Sequence, residues 1–303
     1  MRVQIGIQLP QWGAAADRAG VLAVAQAAEA AGFDAVWASD HPVYPLDAAA
    51  EYPYSSGGPP FTPDDGYLEV LTTLAFVAGA TQSIRLGTSV LILPMRNVLL
   101  TAKALATLDV LSGGRVVVAV GAGWWQGEFE ALGASFRHRG TTLDEQLEAL
   151  RGLWTRGEYE MRGEQVRFQL VALKPLPVQR DGPEVWVGGD GPRTWARVAG
   201  ASVAGWHGIG YRPEKIRAAQ AAIAAACRVT GRDPATVRFS TATGLPDTKP
   251  KFFERLELLH NLGISQVVLI PHDASVASIL EAIRLYGEEV RPHLQGPLGA
   301  PPI

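Results

Sequence analysis

IRLGTSVLILPMRN (84–97), then LLTAKALATLDVLSGGR (99–115), then VVVAVGAGWWQGEFEALG (116–133) read as strand, helix and strand. Both strand runs are β-branched and apolar without alternation, the pattern of a parallel sheet covered on both faces. Each strand ends in small residues, Gly87, Thr88 and Ser89 in the first and Gly121, Ala122 and Gly123 after the second. Backbone without a Cβ can approach a ligand closely, so these ends are expected to line a site.

The same unit recurs on both sides of this stretch. Residues 3–9 form a strand that Pro10 stops, 17–31 a helix that Gly32 stops, and 33–38 a second strand. After a loop over 42–65 come a helix over 67–80 and the central unit. An amphipathic helix over 141–157 and a hairpin over 159–168 follow, then a Pro-rich connector over 174–183. The remaining strands fall at 185–189, 201–208, 236–244 and 265–270, with helices from 192 and over 213–230, 249–261 and 275–290. Eight strands in series, most followed by a helix and without a central break, point to an α/β fold of the (β/α)8 TIM-barrel kind, carrying an inserted loop and hairpin. A chain of 303 residues is expected to form one such domain over 1–303.

Composition narrows the function. The chain is 47% hydrophobic with a net charge of -3, and no Lys/Arg cluster overrides that balance, so a nucleic-acid surface is not expected. No run approaches about twenty uninterrupted apolar residues, so neither a membrane span nor a signal peptide is expected. The single cysteine, Cys227, reads as a small core residue in a chain suited to a reducing cytoplasm. Small-molecule chemistry is the remaining expectation.

A barrel of this type keeps its chemistry at the carboxyl ends of its strands. Asp40 and His41 end the second strand, His207 the sixth, and His272 and Asp273 the eighth, so three of the six histidines are expected to face the mouth. An imidazole beside a carboxylate can exchange a proton near neutral pH, which makes His41 and Asp40 the catalytic candidates. The first strand ends Gln8, Leu9, Pro10 without a His or Asp, so no metal is expected. GAGWWQG (121–127) departs from a dinucleotide fingerprint at Gln126. VGGDGPR (187–193) ends a strand in glycines and begins a helix at Pro192, which suits either a phosphate, with Arg193 adding charge, or a plain tight turn. Trp124 and Trp125 offer wide apolar faces to a planar ring, and Tyr44, Tyr52, Tyr54 and Phe61 in the long loop either close over an apolar substrate or pack on the rim.

Taken together, WASDH (37–41), IRLGTSVLILP (84–94), LATLDVLSGGRVVVAVGAGWWQGEF (105–129) and VWVGGDGPR (185–193) resemble the luciferase-like monooxygenase superfamily, in the branch that uses the deazaflavin coenzyme F420. The resemblance implies a non-prolyl cis peptide at Ser89-Val90 behind the deazaflavin ring, with Asp40 and His41 near the ring and His41 handling a proton. It implies that Gly121, Ala122, Gly123 and Trp124 lie along the cofactor and that Gly188, Gly189, Asp190, Gly191 and Arg193 hold its phosphate. Trp125, His207 and His272 then stand with the loop aromatics as substrate-side candidates. Some relatives that oxidise a sugar phosphate carry a glutamate where this chain has Trp124, so a different substrate is implied. Glu128 is the nearest acid, and the helical turn is expected to point it away. The rivals are an FMN-dependent monooxygenase of the same fold and a non-catalytic flavin-binding protein. A homodimer is expected from the same resemblance.

Overall fold

The computed structural model describes residues 3–46, 52–53, 58–200, 203–210, 212–271 and 275–295. The strands β1 (Gln4–Gln8), β2 (Ala35–Ala38), β3 (Arg85–Ile92) and β4 (Val116–Gly121) are followed by a two-stranded hairpin, β5 (Glu158–Arg162) and β6 (Arg167–Ala172). Then come β7 (Glu184–Gly188), β8 (Gly205–Ile209), β9 (Arg238–Gly244) and β10 (Gln266–Ile270). All but the hairpin close into a parallel barrel in the order β1-β10-β9-β8-β7-β4-β3-β2, as the count of strands requires. Helices α1 (Arg18–Ala31), α2 (Val70–Ala78) and α3 (Val98–Ser112) connect the first four strands. The short α4 (Gln126–Ala131) and the long α5 (Arg139–Arg156) precede the hairpin, and α6 (Pro192–Val198), α7 (Pro213–Thr230), α8 (Lys249–Asn261) and α9 (Val276–Leu285) complete the shell.

Local chemistry explains these boundaries. Asp17 accepts from the Gly20 amide at the start of α1, and Asn97 accepts from Leu99 and Leu100 at the start of α3. Gly32 and Gly113 end the same helices in the left-handed conformation. The two-residue period of the strands then sorts their side chains. Ile5, Ile7, Val36, Val116, Val118, Val120, Val187, Val267 and Leu269 face the helices, while Trp37, Val117, Ala119, Trp186, Ala242 and Val268 fill the barrel. Its amino-terminal end is closed by ions. Glu184 pairs with Arg238 at 2.9 Å and with Arg85 at 3.5 Å, and receives the Trp186 indole N–H at 2.6 Å.

One expectation from the strand ends is corrected here. Gly87 does not leave room for a ligand, because a Cβ there or at Gly6 would collide with the Trp37 indole, which lies across both neighbouring strands. Thr88 is buried and donates to the Ala119 carbonyl at 2.8 Å. Only after it does β3 change character. Three steps along β3, from Thr88 to Leu91, span two on β4, and the Ser89-Val90 peptide inside this bulge is cis.

Candidate active site

The bulge presents Val90 across the carboxyl-terminal mouth of the barrel. A Cβ on Gly121 would lie 2.8 Å from Val90 Cγ2, and one on Gly188 would lie 2.9 Å from Val90 Cγ1. These two glycines therefore make room for Val90, not for a ligand, and Gly123 does the same for the buried Phe129 ring. The result is a platform built of Ser89 and Val90, the only partly exposed residues in the second half of β3.

His41 follows β2 by three residues, next to Asp40, whose carboxylate accepts from the Ile92 amide at the end of β3. Its Nδ1 lies 3.1 Å from Glu128 Oε1, with the His41 side chain 15% and that of Glu128 3% exposed. Among the described residues Nε2 has no hydrogen-bond partner. Glu128 comes from the first turn of α4 and points inward, contrary to the expectation from its helical spacing. Burial pushes its carboxyl above the usual range and the Asp40 charge adds to that, while the hydrogen bond and charge of His41 oppose it. The carboxyl thus sits out of bulk water against Nδ1, and Nε2 is left facing away from it.

Asp40 has a different role from the one expected. Its Oδ1 accepts from Arg96 Nη2 at 2.6 Å, and its Oδ2 accepts from Arg96 Nε at 3.0 Å and from the Ile92 amide at 2.9 Å. With both oxygens committed to a fork and a strand end, Asp40 ties the end of β2 to β3. Arg96 also reaches Glu69 at 2.9 Å. Sequence reading gives no sign of Arg96 and sets Glu128 aside, because both enter the site from elements whose orientation is set by packing.

The aromatic residues converge on His41. Phe61, Tyr67, Trp124 and Trp125 have ring centroids 4.8, 5.4, 5.9 and 6.5 Å from the imidazole. Trp124 stacks on Trp125 at 5.2 Å, Tyr52 meets Trp124 edge-on at 5.4 Å, and Tyr44 meets Trp125 edge-on at 4.9 Å. Tyr44 and Tyr52 thus pack on the tryptophan pair from the long loop, and Phe61 and Trp125 are buried. Tyr67, absent from the sequence reading, is held by a hydrogen bond with Ser39. Tyr54, His272 and Asp273 lie outside the described residues. His207 is not a mouth residue: it is buried inside the barrel, stacked on Trp37 at 5.8 Å.

The turn after β7 is open. Gly189 and Gly191 have φ of 105°, α6 starts at Pro192 without a side-chain cap, and nothing lies within 4 Å of a Cβ built at Gly191. Asp190 is paired with Lys215 at 2.7 Å, and Arg193 is exposed and close enough to Arg139 to disfavour its charge. Free backbone amides with cations around them suit an anion.

The model of the family described as luciferase-like monooxygenase matches residues 3–245. The chain belongs to that family. As a luciferase-like protein it is 32% identical over 194 residues to an uncharacterized protein of Mycobacterium bovis, covering 64% of this chain and 66% of that one. It is 34% identical over 169 residues to an FMNH(2)-dependent dimethylsulfone monooxygenase of Pseudomonas putida, covering 52% of this chain and 46% of that protein. The chain thus spans about half the length of that monooxygenase. Among solved structures, an F420-dependent secondary alcohol dehydrogenase in complex with an F420-acetone adduct superposes with a TM-score of 0.79 at 17% identity, covering 98% of this chain and 100% of that one. At that identity the likeness is one of fold.

Proposed function

We propose that the protein is an F420-dependent oxidoreductase that moves a hydride between C5 of the deazaflavin and a small apolar or conjugated organic substrate. The observation that carries this reading is the His41–Glu128 pair, largely shielded by aromatic rings at the carboxyl ends of the barrel strands. Hydride transfer to or from carbon leaves a proton to be placed, and a buried imidazole–carboxyl pair with one free ring nitrogen is a proton carrier. The cofactor, when bound, supplies the hydride chemistry.

The residues present fit such a group. Ser89 and Val90 would form the floor of its ring site, Ala122 and Trp124 the side, and the open 188–191 turn with Arg193 would hold its phosphate. His41 Nε2 gives the proton to, or takes it from, the substrate, and Glu128 adjusts through Nδ1. Tyr44, Tyr52 and Trp124 keep water from the reacting atoms. Among the described residues the guanidinium beside this enclosure, Arg96, is bound by Asp40 and Glu69 and is not free for an anionic substrate. A homodimer belongs to the same proposal, and Leu100 and Leu111 on the outer face of α3 supply exposed apolar surface for it.

A second reading, reduced FMN with oxygen activation, is favoured by the sequence likeness to the sulfone monooxygenase. Titration of F420 and of FMN, followed by quenching of Trp fluorescence, separates the two when paired with oxygen uptake. Tighter binding of F420 and turnover without oxygen support the first reading. Preference for FMN with oxygen consumption replaces it with the second.

A further inference from the structure

Inside the barrel a line of hydrogen bonds runs from the β10 strand to the mouth. Gln266 Nε2 lies 3.3 Å from Ser240 Oγ, Ser240 Oγ 2.9 Å from His207 Nδ1, and His207 Nε2 2.9 Å from Ser89 Oγ. Gln266, Ser240 and His207 are all buried, and Ser89 is the first member to reach the mouth. None of these contacts belongs to the His41–Glu128 unit.

The line has a direction. A neutral imidazole carries one N–H and one lone pair, so one of its ring nitrogens donates and the other accepts. Burial pushes His207 down to about 4, so the ring is neutral at physiological pH. Ser240 Oγ accepts from the Gln266 amide, and among the described residues its own O–H has only His207 Nδ1 to receive it. If Nδ1 carried the proton instead, the buried Ser240 O–H would be left without an acceptor, at a cost of about 1–3 kcal/mol. Satisfying every buried group therefore puts the proton on Nε2, which donates to Ser89 Oγ. The Ser89 hydroxyl then has its own hydrogen left for the mouth.

We infer that Gln266, Ser240 and His207 act together as a positioning line that makes the Ser89 hydroxyl a hydrogen-bond donor toward an acceptor atom of the bound ring system. The inference rests on the cofactor site proposed above. It assigns Ser89 a ligand-binding role through its side chain as well as its backbone. It makes His207 and Ser240 contributors to cofactor affinity although neither reaches the mouth.

Side-chain nitrogen NMR of the unliganded protein at neutral pH is expected to show His207 as the neutral Nε2–H tautomer. Ser89→Ala is expected to raise the Kd of F420 by about fivefold, the loss of one neutral hydrogen bond. Ser240→Ala is expected to raise it by a smaller factor, and the double variant no further than Ser89→Ala alone, since the two changes act through one bond. The Nδ1–H tautomer, an unchanged Kd in Ser89→Ala, or additive effects in the double variant would each overturn the inference. Failure of the wild-type chain to bind F420 or FMN would instead overturn the cofactor reading, and the tautomer would still report on the line itself.

Discussion

Two histidines at the same end of the barrel have opposite surroundings. His41 sits at the rim with a carboxyl on one nitrogen and, among the described residues, no partner on the second, whereas His207 sits in the interior with a serine hydroxyl on each. The first environment places a carboxyl against the ring and leaves it partly exposed. The second penalises the charge and keeps the ring neutral. Position near a strand end is therefore not enough to make a histidine a proton carrier. The group on its second nitrogen and the water around it decide.

The largest test of this contrast is kinetic. His41→Ala is expected to lower turnover by about 10²–10⁴-fold, the usual contribution of a positioned acid–base group, while F420 binding by Trp quenching changes little. His207→Gln, which can still accept and donate, is expected to keep turnover within about tenfold of wild type. Equal losses in the two variants would erase the distinction.

The neighbouring carboxyls divide in the same way. Asp40→Ala leaves the Arg96 guanidinium without its fork partner and is expected to cost about 3–5 kcal/mol of stability in denaturant unfolding, the range for a broken buried pair. Glu128→Gln removes a group whose neutral form the fold already favours, so its unfolding free energy at neutral pH should stay near wild type or rise. A larger loss in Glu128→Gln than in Asp40→Ala would reverse the roles.

Stability against pH reads the interior histidine. Its pKa is lower in the folded protein than in the unfolded chain, so the unfolded chain binds the extra proton between pH 6.5 and about 4. Stability is present above that window and falls as pH drops through it, by about 3 kcal/mol from this group. His207→Gln is expected to flatten that part of the acid limb in denaturant titrations at stepped pH. The smallest effect belongs to the platform. Gly121→Ala forces a methyl against Val90 and should cost about 1–3 kcal/mol, with weaker cofactor binding in the same titration.

The barrel was legible in the sequence because its strands are continuous apolar runs with glycine or proline stops. The helices over 213–230 and 249–261 fall at the predicted residues. His41 was legible for the same reason, since a buried strand delivers it to the mouth. Glu128 was not, because the four-residue connection 122–125 between β4 and α4 sets which face of α4 turns inward, and nothing in its spacing encodes that orientation. Gly87, Gly121 and Gly123 were misread as ligand clearances because a missing side chain looks the same whether a ligand or a neighbour fills the space. Trp37, Val90 and Phe129 fill it. His207 was misread because a strand of five residues places its third in the interior and only its last at the rim.

The pH dependence of kcat in the F420-loaded wild type and in Glu128→Gln tests the central claim most directly, that His41 and Glu128 carry one proton as a unit. Glutamine keeps a hydrogen bond to Nδ1 but cannot take up or release a proton. The expected result is a rate about 100-fold lower, with loss of the pH limb that the wild type shows. The same rate and the same profile in both proteins would contradict it.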